Sequence, residues 1–318
     1  MTATVLSLDV GGTKTLAAGV AADGRVVREW TEATGPGAAD GDQVAWVIDF
    51  AARAAADLGR LGHPPLCVAA GFPEYVVDGR LTSHEVLDWA VQPHDAYLAR
   101  DPGAAERPLV IDSDVRLGAL GEARFGAGAG FASFLYVSLG TGLSSALVID
   151  DRIWAGARGE AIGFGEFPLA VPADSADRAT LETYSSGSAV QARYAERTGR
   201  RADGRAIAAA ARAGDAAALD VLSSAGTALG EGIAALVAVL DPHAVVLGGG
   251  LGTADTPLRT AATEAYLRRS GRRTGAAALV PARCGHRSGM LGGAVAAFRA
   301  IGQDLRGAAA GPPPATDR

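Results

Sequence analysis

The chain has 318 residues, enough for one large domain or two ordinary ones around a sizeable core. With 48% hydrophobic and 20% charged residues it reads as globular, and a net charge of −6 argues against a nucleic-acid-binding surface. Two cysteines exclude a disulfide framework and any multi-cysteine zinc or iron–sulfur site built within one chain.

The opening MTATVLSLDVGG has no basic flank and no signal-peptide pattern, and no uncharged apolar run reaches about 18 residues. The expectation is a cytoplasmic enzyme with no membrane span. Thr4–Val10 is β-rich, Gly11 and Gly12 interrupt it, and β character resumes at 15–20 and 25–30, a meander carrying a glycine turn. A helix is predicted over 43–58, from apolar residues at helical spacing, and a buried strand over 66–70 that contains Cys67. The apolar run 109–111 stops at Asp112 and Asp114, and a helix-like pattern follows. A second meander spans 133–148 around Gly140, Thr141 and Gly142, so a strand–glycine turn–strand unit occurs twice. This repeat predicts two similar α/β halves with a cleft between them. Helices dominate 181–240, a strand over 244–247 ends at Gly248, Gly249 and Gly250, and a last helix fits 290–301.

Three glycine turns, each ending an apolar strand, can carry chemistry. After the first strand, Gly11 and Gly12 let backbone N–H groups approach a phosphate, while Thr13 and Lys14 supply a hydroxyl and a cation. Asp9 at the strand end is placed to hold Mg²⁺ directly or through water. The GxxxxGK spacing of a Walker A loop is absent. Alone, any one of the three is more often plain turn chemistry; together they make that reading weaker.

These features resemble the ROK family of sugar kinases and repressors, within the actin-like ATPase superfamily. The resemblance runs through LDVGGTK (8–14), AGFPEYV (70–76), DSDVRLGALGE (112–122), SLGTG (138–142), LETYSSGSA (181–189), DPHAVVLGGGL (241–251) and SGMLGGAVAAF (288–298). It implies an α/β, two-lobed actin-like (ribonuclease H-like) fold: an N-terminal lobe over 1–113 rejoined by the helix at 290–305, and a C-terminal lobe over 114–289. The Pro/Ala/Gly-rich tail at 306–318 is expected to be disordered. It further implies ATP- and Mg²⁺-dependent phosphorylation of a sugar hydroxyl, with Asp114 as the base, and a homodimer.

Several positions depart from the family's pattern. Ser113 stands where family kinases usually have Asn, which exchanges a two-donor amide for a hydroxyl. Without gaps, GARGEAIGFGEFPL (156–169) puts Gly163 at the family's sugar-binding Glu and Glu166 at its zinc-binding His; a one-residue shift makes Glu160 the carboxylate instead. Ala173, Ser175 and Thr180 occupy the family's cysteine positions, so no structural zinc is expected. Glu182 matches a second sugar-binding Glu. Glu74 stands where glycine is frequent, and His84 lies in a region that often carries a sugar-contacting Asn; both are candidate substrate residues, with a surface histidine the equal alternative for His84. Asp112 is left between capping and contact with substrate.

The reading is therefore a kinase acting on a hydroxyl of a hexose or hexose-like polyol, with a modified sugar or cyclitol favoured over plain glucose because the phosphate side is intact and the sugar side altered. A non-catalytic sugar- or nucleotide-binding relative is the alternative. A sugar-responsive repressor would need a helix-turn-helix ahead of the phosphate motif, which begins at Leu8, and is disfavoured.

Overall fold

The structure is a computed structural model and describes residues 2–35, 42–169, 180–270, 276–303 and 305. The tail from Arg306 lies outside the described residues. The described residues fall into two compact units: those within 2–130, 146–162 and 286–305 form the first, and those within 131–145 and 163–285 the second.

The first unit begins with strands β1 (Thr4–Val10), β2 (Lys14–Ala21) and β3 (Val26–Ala33). Helix α1 (Gln43–Arg60), strand β4 (Val68–Phe72) and a small hairpin of β5 (Val76–Val77) and β6 (Arg80–Leu81) follow. Then come α2 (Pro93–Arg100), β7 (Leu109–Ser113) and α3 (Asp114–Phe125). The sheet order is β3-β2-β1-β4-β7, with the β1–β2 and β2–β3 pairs antiparallel and β4 parallel to both β1 and β7. Strand alternation assigns the two faces. Leu6 and Leu8 join Val47, Ile48, Ala51 and Leu58 of α1 in one cluster, while Val5 and Ala69 join a second. Helix α1 starts where Asp42 accepts a hydrogen bond from the Ala45 N–H at 2.9 Å. Cys67 is fully buried in the second cluster, a small hydrophobe as its apolar run predicts.

The remaining strands are β8 (Ser133–Leu139), β9 (Leu143–Ile149) and β10 (Arg152–Trp154), then β11 (Ala244–Gly248) and β12 (Ala278–Pro281). Their order, β10-β9-β8-β11-β12, reproduces that of the first sheet position for position. The repeat read from the sequence is thus a repeat of sheet topology. Helices α4 (Leu181–Ser185), α5 (Gly187–Thr198), α6 (Gly204–Arg212) and α7 (Ala216–Leu240) fill the stretch predicted as helical. After β11 come α8 (Gly249–Thr253), α9 (Pro257–Ser270) and finally α10 (Ser288–Ala300). By length and apolarity α7 could cross a membrane. Asp220 and Glu231 interrupt it, which is why a search for uncharged runs passes it by. Its Val221, Leu222, Ala225, Leu229 and Ile233 lie fully buried in the second unit's core.

The expected boundary between 113 and 114 does not fall there. Ser113 is both the last residue of β7 and the N-cap of α3, so strand and helix form one continuous piece. Helix α3 then packs along α10 within the first unit. A Cβ on Gly292 would lie 1.6 Å from the Leu117 carbonyl oxygen, and one on Gly121 would lie 2.1 Å from that of Ser288. The two backbones touch, and only glycine permits it.

Gly292→Ala should therefore lower stability by about 3 kcal/mol or more, the upper range for overpacking. Gly59→Ala in α1, where an added Cβ meets nothing within 4 Å, should be neutral or stabilising. Thermal melts of the two variants beside wild type check this, and equal melting temperatures would refute the close approach.

Candidate active site

The acidic centre of the first unit is built at strand ends. In the parallel register Asp9 of β1 pairs with Gly71 of β4, and Gly71 pairs with Asp112 of β7. Residues in register point to one face, so Asp9 and Asp112 flank a position with no side chain. Asp114, the first residue of α3, takes that space: a Cβ on Gly71 would lie 3.1 Å from the Asp114 Cα. Gly289 at the start of α10 closes on the same group, since its Cβ would fall 2.6 Å from the Asp9 carboxyl carbon.

Electrostatics follow from this crowding. Burial pushes Asp9 up to about 6, although Lys14 pulls it down. Burial also pushes Asp114 up to about 7, with the Asp9 charge adding to the rise and a 2.6 Å bond from the Val115 N–H opposing it. Asp112 is raised by burial too, against the Arg116 guanidinium 3.0 Å away.

The turn after β1 is braced from behind and open in front. The Gly11 N–H donates to the Lys14 carbonyl at 3.0 Å, and the Thr34 hydroxyl donates to the Gly11 carbonyl at 2.6 Å. Gly12, Thr13 and Lys14 are exposed. A hard divalent cation and a phosphate fit this corner. Asp9 accepts no hydrogen bond from a described residue, and among the described residues no cluster of three or more ligating side chains forms a metal cage. One or two carboxylates with water and phosphate oxygens are the usual surroundings of Mg²⁺.

Two predicted substrate residues have partners of their own, and a third is turned inward. Glu74 is buried and accepts from the Ser83 hydroxyl and from the N–H groups of Glu85, Val86 and Leu87, the last three at 2.8 Å each. Its lone pairs are consumed in folding the 83–87 loop, whose Val86 rests on Gly12. His84 is exposed and stacks on Trp89, with ring centroids 4.2 Å apart. Ser113 is fully buried with no hydrogen-bond partner for its hydroxyl, because strand alternation turns it to the face opposite Asp112.

The second unit carries the remaining candidates. Its turn at Gly140, Thr141 and Gly142 is held by α5: the Gly187 N–H donates to the Gly140 carbonyl at 2.9 Å and the Ser188 N–H to the Thr141 carbonyl at 3.1 Å. Glu182 lies against this turn and accepts the Leu143 N–H at 2.6 Å. Glu166 ends a 3-10 turn (Gly163–Glu166) and is exposed. Gly248 and Gly249 are spent on packing, against the Tyr136 ring and the Leu139 carbonyl respectively, and Gly250 alone of the three is exposed. Glu160, in the first unit, is exposed beside Arg158 at 3.4 Å. Ala173 and Ser175 lie outside the described residues, and Thr180 caps α4.

Sequence reasoning missed Gly71, Gly289 and Arg116. Gly71 and Gly289 sit inside quoted motifs, but their role is to leave room for a carboxylate, which no local pattern announces.

Raised acids predict a pH effect on stability. A carboxylate whose folded value exceeds its unfolded one destabilises the fold once ionised, so stability falls as pH rises from about 4 through about 7. Asp114→Asn should melt above wild type at about pH 8, by a few kcal/mol at about 1.4 kcal/mol per pKa unit, and the gap should close near pH 4. Nucleotide-free melts across that range check it. For the loop, Glu74→Gln should speed hydrogen exchange at Val86 and Leu87 by at least about tenfold, as loss of a charged hydrogen bond requires.

Comparison with known proteins places this geometry. The ROK family model matches residues 5–300. The chain is similar to the bifunctional enzyme NanE/NanK of Brucella melitensis, at 34% identity over 252 residues, 79% of this chain and 46% of that protein. It thus spans about half the length of that relative. It is also similar to a glucokinase of Streptomyces coelicolor, at 28% identity over 91% of this chain and 96% of that one. Among solved structures, a ROK family glucokinase from Streptomyces griseus in complex with glucose and AMPPNP aligns with a TM-score of 0.76 at 28% identity, covering 93% of this chain and 99% of that one. The chain belongs to the ROK family and has its α/β actin-like ATPase fold.

Proposed function

We propose that this chain is an ATP-dependent kinase that phosphorylates a hydroxyl of a hexose or hexose-like polyol, with Asp114 as general base. The observation that carries the reading is the seating of Asp114 over Gly71 beside Asp9, where crowding holds its carboxyl near 7. A base with a pKa near the working pH accepts a proton most effectively. The Val115 N–H fixes one Asp114 oxygen at 2.6 Å, which leaves the other to orient the acceptor hydroxyl and take its proton as the new O–P bond forms and the bond from the γ-phosphorus to the bridging oxygen breaks, releasing ADP.

Asp9, directly or through water, would hold Mg²⁺; that ion, when bound, neutralises charge on the phosphate oxygens. We assign the polyphosphate to the turn that Gly11 opens: the amides of exposed Gly12 and Thr13, the Thr13 hydroxyl and the Lys14 ammonium. Gly140, Thr141 and Gly142, with Gly248, Gly249 and Gly250, are the second unit's assigned nucleotide residues, and Glu166 and Glu182 its assigned acceptor residues. The departures at Ser113, Gly163 and Glu166 support a modified sugar or a cyclitol over plain glucose. The names of the similar kinases support the reaction class.

An assay of ADP release over a panel of sugars, aminosugars and cyclitols tests the reading. Asp114→Asn should cut turnover by about 10²–10⁴-fold while nucleotide binding persists. Near-normal turnover in that variant would sink the assignment of the base. A wild-type chain that binds nucleotide yet is silent across the panel would instead support the non-catalytic alternative.

A further inference from the structure

Asp112 is the acid whose role the sequence left open, and its surroundings differ from those of a helix cap. The N-cap of α3 is Ser113, and no side chain caps that helix. One Asp112 oxygen, Oδ1, accepts the Ser113 N–H at 2.8 Å and Arg116 Nη1 at 3.0 Å. The other accepts from no described residue, and the side chain remains 27% exposed. Asp112 shares its sheet face with Asp9 and stands two residues before Asp114.

Arg116 explains how that carboxylate is held. Its side chain is only 5% exposed. Besides Asp112, it donates to the Val76 carbonyl at 3.0 Å and to the Gly159 carbonyl. A buried cation fixed at three points cannot follow solvent, so the Asp112 oxygen that it grips is fixed too, and the free oxygen is aimed with it. Ser113, the position expected to contact the acceptor, is turned inward and fully buried.

We propose that Asp112 is an acceptor-binding, specificity-setting residue, whose free oxygen takes a hydrogen bond from a second hydroxyl or amino group of the acceptor, and that Arg116 is its positioning residue. The inference rests on the kinase reading for its reaction but on the Asp112–Arg116 geometry for its site. The ligand class is a polyol with two donors within reach of neighbouring carboxylates: one for Asp114, which reacts, and one for Asp112, which selects. A fixed carboxylate discriminates strongly against an acceptor lacking the donor, because its oxygen is then left without a partner.

The test measures steady-state kinetics and calorimetric binding with glucose, glucosamine, N-acetylglucosamine and myo-inositol. For whichever of the four wild type uses best, Asp112→Ala should raise the acceptor KM by at least about tenfold. The ATP KM and kcat should stay within about twofold of wild type. Arg116→Lys, which keeps the charge but loses the fork, should give a smaller rise. If the buried arginine cannot be replaced without unfolding, the paired change Arg116→Met with Asp112→Asn removes both charges together and should match Asp112→Ala. An unchanged acceptor KM in Asp112→Ala, or an equal rise in the ATP KM, overturns the proposal while the kinase reading stands. Should wild type turn over none of the four, binding decides for Asp112. Weaker acceptor binding by Asp112→Ala supports the proposal; equal binding, or none by wild type, overturns it.

Discussion

Helices α3 and α10 touch backbone to backbone through Gly121 and Gly292, and the acidic centre of the first unit depends on that contact. It fixes the start of each helix against the end of the sheet. At the start of α3 sits Asp114; at the start of α10, Gly289 lies against Asp9. A buried acid completes the arrangement: Glu122 accepts the Ser288 hydroxyl and the Ala127 N–H, both at 2.8 Å, which ties the first residue of α10 to the last turns of α3. A larger residue at either glycine would separate the helices and open the space in which the two aspartates are desolvated.

Acids in this unit fall into two groups by how their oxygens are satisfied. Glu74 and Glu122 are buried and hydrogen-bonded on both oxygens, and they organise backbone: the first folds the 83–87 loop, the second joins two helices. Asp9 and Asp114 are crowded with far fewer partners, and both carboxyls are pushed upward. An ionised group left short of partners costs stability, and such costs persist where a charge has work to do. Asp112 lies between the groups, with one oxygen clamped and the other free.

Much of the fold was legible from pattern alone. The meanders, the strand before Gly248 and the helices over 181–240 follow from periodicity and glycine punctuation, which act locally. The lobe boundary was not. A strand end followed by a helix looks like a joint in sequence, and only the packing of α3 on α10 shows that the unit continues to Gly130. Glu74 and Ser113 were misread for a related reason: motif position indicates neighbourhood, whereas donors from eleven to thirteen residues away and the phase of strand β7 decide what each side chain meets.

The sequence by itself determined the family, the doubled α/β topology and the residues at the ends of the strands, because each is written in short-range spacing of apolar, glycine and acidic residues. Tertiary structure alone decided which of the acids are crowded and which are satisfied. That depends on parallel register, which sets Asp9, Gly71 and Asp112 in one row, and on the approach of two helices distant in sequence. Neither register nor helix approach has a local signature, since both are settled by long-range packing.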